Sequence, residues 1–319
     1  MAGTNTLELS LDSMITLEYL AEGTANVVYR IVAPPPSPST AADLNFESDW
    51  SSDDVPLPSE IPALRLDPRL EGRLVRLRKD LPSTVPVIES QNHLENLIVP
   101  LFTSRFNRGF LVQQILFRPS RDLIRDCNAK LREMEAEGSR SRKRHYVYLV
   151  EDEDYGTLVT DMSAGTDDYY ACVEFKPKWL AQSPSAPAGS KRCRTCALWA
   201  MKSTTEENSK SSFCPLNLIS GDKVKVVKAV SIITSTPKHS DTLTEPARAA
   251  LVDFLYNSPL LNLLKKLQIE KDPLGVLRAD LLDQDFLTAM TLRDCTLFLK
   301  VCRPQRPFNK PPTIVLQLI

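Results

Sequence analysis

Alternating apolar and polar positions predict strands at several places in the first half of the chain. Leu17-Glu18-Tyr19-Leu20 alternates, and Asn26-Val27-Val28-Tyr29-Arg30-Ile31 is rich in β-branched and aromatic residues, so Leu7 to Val32 is expected to form two strands around a turn. Gly72 to Lys79 alternates again, with Leu74 and Arg76 on one face and Val75 and Leu77 on the other. A helical stripe covers Ile88 to Phe102. A clearer one runs from Ser120, a good N-cap, to Gly138, a good C′ residue, with Leu123, Cys127, Leu131 and Met134 on one face. His145 to Leu149 and Gly156 to Met162 are predicted as strands joined by acidic residues, and Lys223 to Thr234 as a β-rich run. Thr244-Glu245-Pro246 opens a helix that ends at Asn257-Ser258-Pro259, with Leu251 and Leu255 on its apolar face. Met290 to Leu299 reads as a turn feeding a hydrophobic strand. From Ala33 to Pro62 neither period is present, and this Pro/Ser/Asp stretch is expected to be a disordered insertion.

The chemistry concentrates between Cys172 and Lys202. Cys172 to Phe175 is a short strand, followed by Lys176 and Lys178, whose ammonium groups leave the same face of a backbone that Pro177 is expected to hold extended. Lys191, Arg192 and Arg194 come next, and Arg194 and Lys202 lie eight residues apart, close to one side of a helix. Six cations thus face one carboxylate, Glu174. The formal net charge is only -1, so the cluster is a local electropositive pocket and not the overflow of a basic protein. A solvated loop is the ordinary use of such residues, but Val173, Phe175, Trp179 and Leu180 alternate with them and anchor the cations to a packed strand.

Composition adds bounds. The 319 residues, 42% hydrophobic and 25% charged, suffice for one large domain or two lobes. Seven Cys, an odd number, are scattered, and Met1 is not followed by a basic-then-apolar leader, so a reducing compartment, cytoplasm or nucleus, is expected. No apolar run approaches the ~20 residues of a membrane span, and the balanced charge argues against nucleic-acid binding. A monomer is expected.

Val173 to Lys178 resembles the E-I-K-P-K signature of the inositol-pentakisphosphate 2-kinases. Arg194 to Lys202 has the spacing of that family's R-x-x-M-H-Q-x-x-K motif, keeping its two cations while Ala197, Leu198 and Trp199 replace M-H-Q. Cys214 to Gly221 resembles its C/D-P-L-D-L-F-S-G. The resemblance implies a mixed α/β (α+β), two-lobed inositol-phosphate-kinase-like fold. It has a β-rich N-lobe, 1–162, that binds nucleotide and a larger C-lobe, 163–319, that binds inositol phosphate. The implied activity is ATP-dependent phosphorylation of inositol 1,3,4,5,6-pentakisphosphate at the 2-hydroxyl to give inositol hexakisphosphate.

The resemblance also assigns residues. Gly23, Ala25, Asn26 and Val28 match G-(G/x)-A-N-x-V, a loop whose backbone approaches phosphates, although an ordinary hairpin is the commoner use of such a loop. Arg76 matches the cation of V-L-R-L on the nucleotide phosphates, and Asp161 falls in the hinge that reads the adenine edge. Lys176, Lys178, Arg194 and Lys202 are the substrate cations. Asn262 matches the second of two substrate-binding Asn, the first being replaced by Leu261. One Arg of the basic run Ser139 to His145 is implied as a substrate contact. Nothing in the pattern distinguishes Arg140, Arg142 and Arg144, and Arg142, in the middle, is taken as the candidate. Asp294 matches the Asp of T-x-x-D-C, which lies against the attacking hydroxyl and can accept its proton.

Phosphoryl transfer also needs Mg²⁺ on a protein carboxylate. The family supplies it from a later D-L-D-L-K segment, and no Asp or Glu follows Asp294 here. The chain therefore reads as carboxy-terminally truncated, and the alternative expectation is an impaired relative that binds ATP or inositol polyphosphates without turnover. Zinc is not expected: Cys193-x-x-Cys196 with Cys214 offers three thiolates, but one Cys pair is a weak signal, no His is near, and the family's plant-type zinc knuckle sits elsewhere.

Overall fold

The structure is a computed structural model that describes residues 10–11, 15–32, 67–163, 169–202, 213–235, 243–302 and 314–318. The segment expected to be a disordered insertion, 33–62, lies outside the described residues. The chain divides into two compact units, Met1–His93 with Gln113–Asp161, and Leu94–Val112 with Met162–Ile319.

The first unit is built on a six-stranded sheet. Its strands are β1 (Ser10–Leu11), β2 (Thr16–Glu22), β3 (Asn26–Val32), β4 (Arg73–Arg78), β5 (Gln114–Pro119) and β6 (Gly156–Thr160), in the order β1-β5-β6-β4-β3-β2. Only β1 and β5 pair in parallel. Alternation assigns the faces as expected: Val27, Tyr29, Val75, Leu77, Phe117 and Leu158 share one buried cluster with Ile124, Cys127 and Leu131. The last three come from α3 (Arg121–Ala136), capped by Ser120, whose hydroxyl accepts from Leu123 N at 3.2 Å, and followed by Gly138 at φ 74°. The opposite face carries Val28, Leu74, Arg76, Thr157 and Gln114, which the strand registers place side by side.

His145 to Leu149 is not a strand. Tyr146 takes a left-handed conformation (φ 63°), and buried Asn128 claims both backbone groups of Leu149, accepting from its N–H at 2.8 Å and donating to its carbonyl at 3.1 Å. A single bridge, Lys79 to Leu149, remains. The helix expected from Ile88 to Phe102 begins as α1 (Val87–His93), and Leu94–Ile98 then widens to a π turn and Val99–Leu101 tightens to a 3₁₀ turn around Pro100, which has no N–H to continue the ladder. The boundary between the units falls at that change of winding, and α2 (Arg105–Arg108) belongs to the second unit.

The second unit packs helices against an antiparallel three-stranded sheet, β7 (Tyr169–Phe175), β8 (Leu297–Cys302) and β9 (Ile314–Leu318), in that order. Its helices are α4 (Arg194–Lys202), α5 (Pro215–Leu218), α6 (Lys223–Thr234), α7 (Glu245–Tyr256), α8 (Pro259–Lys271) and α9 (Gln284–Asp294). Val173, Phe175, Leu297 and Leu299 pack with Val230, Leu251, Leu264 and Leu292 in one core. The expectation of a β-rich run at Lys223 to Thr234 is overturned: the segment is α6, capped by Asp222. β-branched residues suggested a strand, but Val226, Ala229, Val230 and Ile233 bury one helical stripe, and that burial outweighs their weak intrinsic preference. Met290 to Asp294 is likewise the end of α9 and not a turn.

Candidate functional site

β7 ends at Phe175, and its exit carries the two lysines. Lys176 Nζ lies 2.9 Å from Asp294 Oδ2 and Lys178 Nζ lies 2.6 Å from Asp294 Oδ1. Burial pushes the Asp294 carboxyl up, but the Lys178 and Lys176 ammonium groups outweigh it and hold the group below its ordinary value. All three side chains keep contact with solvent, at 40 to 63% exposure, so incoming anions can reach them.

The backbone does not stay extended through the second lysine as Pro177 suggested. Lys178 is left-handed, φ 55°, and buried Gln268 grips the chain that leaves it, on both sides of Trp179: Gln268 Nε2 donates to the Lys178 carbonyl and Leu180 N donates to Gln268 Oε1, each at 2.9 Å. On the other side of the cluster, Asp294 is the last residue of α9, and buried Arg293 anchors that helix end. Arg293 Nη1 pairs with Asp272 Oδ2 at 2.7 Å, Nη2 donates to the Gln268 carbonyl at 3.2 Å, and the guanidinium stacks on Trp179, 3.6 Å from the ring centroid. The Arg194 guanidinium, from the first turn of α4, reaches the same ring at 5.1 Å.

The expected substrate residues are therefore only partly assembled. Lys176, Lys178 and Asp294 touch, and Arg194 shares the Trp179 ring with Arg293, the chain neighbour of Asp294. Lys202 is exposed at the far end of α4, about 12 Å along its axis from Arg194. Asn262 is exposed in the first turn of α8 and donates to the Ser258 carbonyl at 3.3 Å. Arg142 is exposed in a 3₁₀ turn, Arg142–Arg144, of the first unit. Its neighbour Arg140 is internal: Nε and Nη2 lie 3.0 Å from the two Glu22 oxygens, Nη1 pairs with Glu135, and Nη2 donates to the Val147 carbonyl at 2.7 Å.

In the first unit, the loop at Gly23 to Ala25 joins β2 to β3 and is closed by Gly23 N donating to the Asn26 carbonyl at 2.9 Å. A Cβ on Gly23 would meet nothing nearer than the Asn26 oxygen at 3.9 Å, so the fold itself does not require glycine there. Two backbone contacts hold the loop from below: Lys79 N donates to the Ala25 carbonyl and Lys79 Nζ to the Gly23 carbonyl, both at 2.9 Å. Lys79 is fully buried and also pairs with Glu22. The sequence reading missed Lys79, although the alternation places it on the same face as Val75 and Leu77, where a charge demands a partner. Arg76, on the opposite face, is half-buried and donates to Gln114 Oε1 at 2.7 Å; among the described residues no carboxylate pairs with it. Asp161 N donates to the Gly72 carbonyl at 2.8 Å, at the end of β6.

The family model for inositol-pentakisphosphate 2-kinase matches residues 19–314. The chain belongs to that family. It is also 37% identical over 133 residues to the inositol-pentakisphosphate 2-kinase of Yarrowia lipolytica, a match covering 40% of each chain. The chain thus spans about two-fifths of the length of that curated relative.

In this 2-kinase family member three thiols also converge. Cys193, Cys196 and Cys214 bring their Sγ atoms within 4.8 Å of one another, with Cys193 and Cys214 at 3.7 Å. Burial, and then the neighbouring thiols, push Cys196 up to about 12.

Proposed function

We propose that the chain binds inositol 1,3,4,5,6-pentakisphosphate and transfers the γ-phosphoryl group of ATP to its 2-hydroxyl, giving inositol hexakisphosphate. The observation that carries this reading is the convergence of Lys176 and Lys178 on Asp294 across more than a hundred residues of chain. Two ammonium groups held by one exchangeable carboxylate are a site for phosphates. Each phosphate brings roughly two charges and can take over the ammonium contacts. Arg194 adds a third cation, and Lys202, Asn262 and Arg142 are its outer contacts in this reading. Asp294, released from the lysines, is the carboxylate that accepts the hydroxyl proton.

ATP is assigned to the first unit, at the loop of Gly23, Ala25 and Asn26, with Arg76 against the phosphates and Asp161 at the base edge. Support comes from Arg76, a half-buried cation with no carboxylate among the described residues, and from a glycine that the fold does not itself require. Mg²⁺ would neutralise phosphate charge during transfer. The described residues do not make a site for it: both Asp294 oxygens are on ammonium groups, and the group of three metal-capable side chains among them is the thiol cluster.

Titration calorimetry with inositol pentakisphosphate, run beside a phosphoryl-transfer assay with ATP and Mg²⁺, tests the reading. The Lys176→Ala/Lys178→Ala variant is expected to bind at least about tenfold more weakly, more so at low salt. Equal affinity in the variant overturns the substrate site, and binding with no product overturns the transfer.

A further inference from the structure

We propose that Cys193, Cys196 and Cys214 form a structural zinc site that staples α4 to α5. This goes beyond the kinase reading and does not depend on it.

The first support is geometric. Zinc bonded to thiolates at about 2.3 Å in a tetrahedron requires sulfur atoms about 3.8 Å apart. Cys193 and Cys214 are already at 3.7 Å, and all three sulfurs fall within 4.8 Å, so the site needs a contraction of about 1 Å at most. Cys196 N donates to Cys193 Sγ at 3.4 Å, the N–H to sulfur contact that a Cys-x-x-Cys turn uses to support a metal-bound thiolate. The ligands are soft and free of carboxylates, which selects Zn²⁺ over Mg²⁺ or Ca²⁺. Cys193 is buried, while Cys196 and Cys214 are half-buried; among the described residues no fourth side chain joins the group, and water completes the tetrahedron in this proposal. On binding, the thiols give up their protons to solvent and each sulfur donates an electron pair to the metal.

The second support concerns what otherwise holds α4. None of its nine residues is buried, whereas α6 to α9 each bury an apolar set. A helix with little buried surface gains from covalent-strength attachment, and metal ligation is a standard one where a core is small. Cys193 immediately precedes α4, Cys196 lies in its first turn and Cys214 caps α5, so one ion would join both helix starts.

The test uses the full chain purified under reducing conditions. Elemental analysis by mass spectrometry is expected to find one Zn²⁺ per chain. Cobalt exchanged into the wild-type protein should give the thiolate charge-transfer and tetrahedral ligand-field absorption of a three-sulfur site. Cys193→Ser and Cys214→Ser should each weaken metal binding by more than about a hundredfold, while Cys172→Ser leaves it unchanged. Chelation of the wild-type protein should lower its melting temperature, and added Zn²⁺ should restore it, which keeps the test valid if the Ser variants fail to fold. No bound metal, three thiols that remain freely titratable in the presence of Zn²⁺, or a Cys193–Cys214 disulfide in the reduced preparation each overturn the proposal.

Discussion

Gln268 and Lys178 are 90 residues apart in the chain, and the Gln268 amide donates to the Lys178 carbonyl at 2.9 Å. With its second contact, to Leu180 N, this one buried side chain sets the turn that aims the Lys178 ammonium at Asp294. Gln268→Ala leaves the buried Leu180 N–H and the partly buried Lys178 carbonyl without this partner, at a cost of about 1–3 kcal/mol. It should also weaken inositol pentakisphosphate binding, although Gln268 is placed against the chain and not against the ligand. Denaturant melts and calorimetry on the variant check both effects.

The left-handed backbone at Lys178 separates charge from strain. Lys178→Ala and Lys178→Gly both remove the ammonium and should lose the same affinity. Glycine tolerates φ 55° without the Cβ clash, so Lys178→Gly should be the more stable variant by about 1 kcal/mol. Equal unfolding midpoints would show that the turn carries no strain.

Asp294 occupies both lysines in the free protein. Asp294→Asn should therefore bind inositol pentakisphosphate at least as tightly as the unsubstituted chain while lowering transfer by about a hundredfold or more. Carboxyl titration by NMR should find Asp294 below its ordinary 3.8 and moving up in the Lys176→Ala/Lys178→Ala variant. Weaker binding by Asp294→Asn would mean that the carboxylate organises the cations instead of competing for them.

The ion cluster under the Gly23 loop should make the first unit sensitive to acid. Burial pushes Glu22 up, but Arg140 and Lys79 hold it below its ordinary 4.5; burial likewise opposes, and Tyr148 and Arg140 outweigh it, at Glu135. For carboxyls depressed in the folded state, the stabilisation is complete above the ordinary value and is lost as pH falls through the folded one. Unfolding midpoints should thus fall below pH 4.5, and Glu22→Gln should flatten that fall. Arg140→Ala at neutral pH leaves Glu22 to Lys79 alone and Glu135 to Tyr148 and the Tyr146 N–H, and should cost about 1.5–3 kcal/mol, the worth of hydrogen bonds to a charged group.

Arg76 gives the nucleotide reading its own check. Arg76→Ala should weaken ATP binding about tenfold, the worth of one charge-assisted contact, while inositol pentakisphosphate affinity stays unchanged. Unchanged ATP affinity would leave Arg76 as a partner of Gln114 alone.

Strands β2, β3, β4 and β6 of the first sheet, the Ser120-capped helix and the clustering of cations near Lys176 are local, and the sequence by itself determined them, whereas β1 and β5 carried no such signal. Alternation decides which face of β4 is buried, and a cap needs only its own turn. The short motifs around Lys176, Arg194 and Asp294 were legible for the same reason. Tertiary packing decided Lys223 to Thr234, where β-branched residues suggested a strand and a buried helical stripe prevailed, and His145 to Leu149, where Asn128 took the backbone groups that a ladder would have used. It also decided that Arg140 is spent on Glu22 while Arg142 stays exposed, and that Gln268 and Arg293 hold the turn and the helix end behind the Lys–Asp cluster. Periodicity records which way a side chain points relative to its own element. Which distant group meets it there depends on how elements far apart in the chain pack to bury apolar surface and satisfy buried charge, and only the folded structure contains that information.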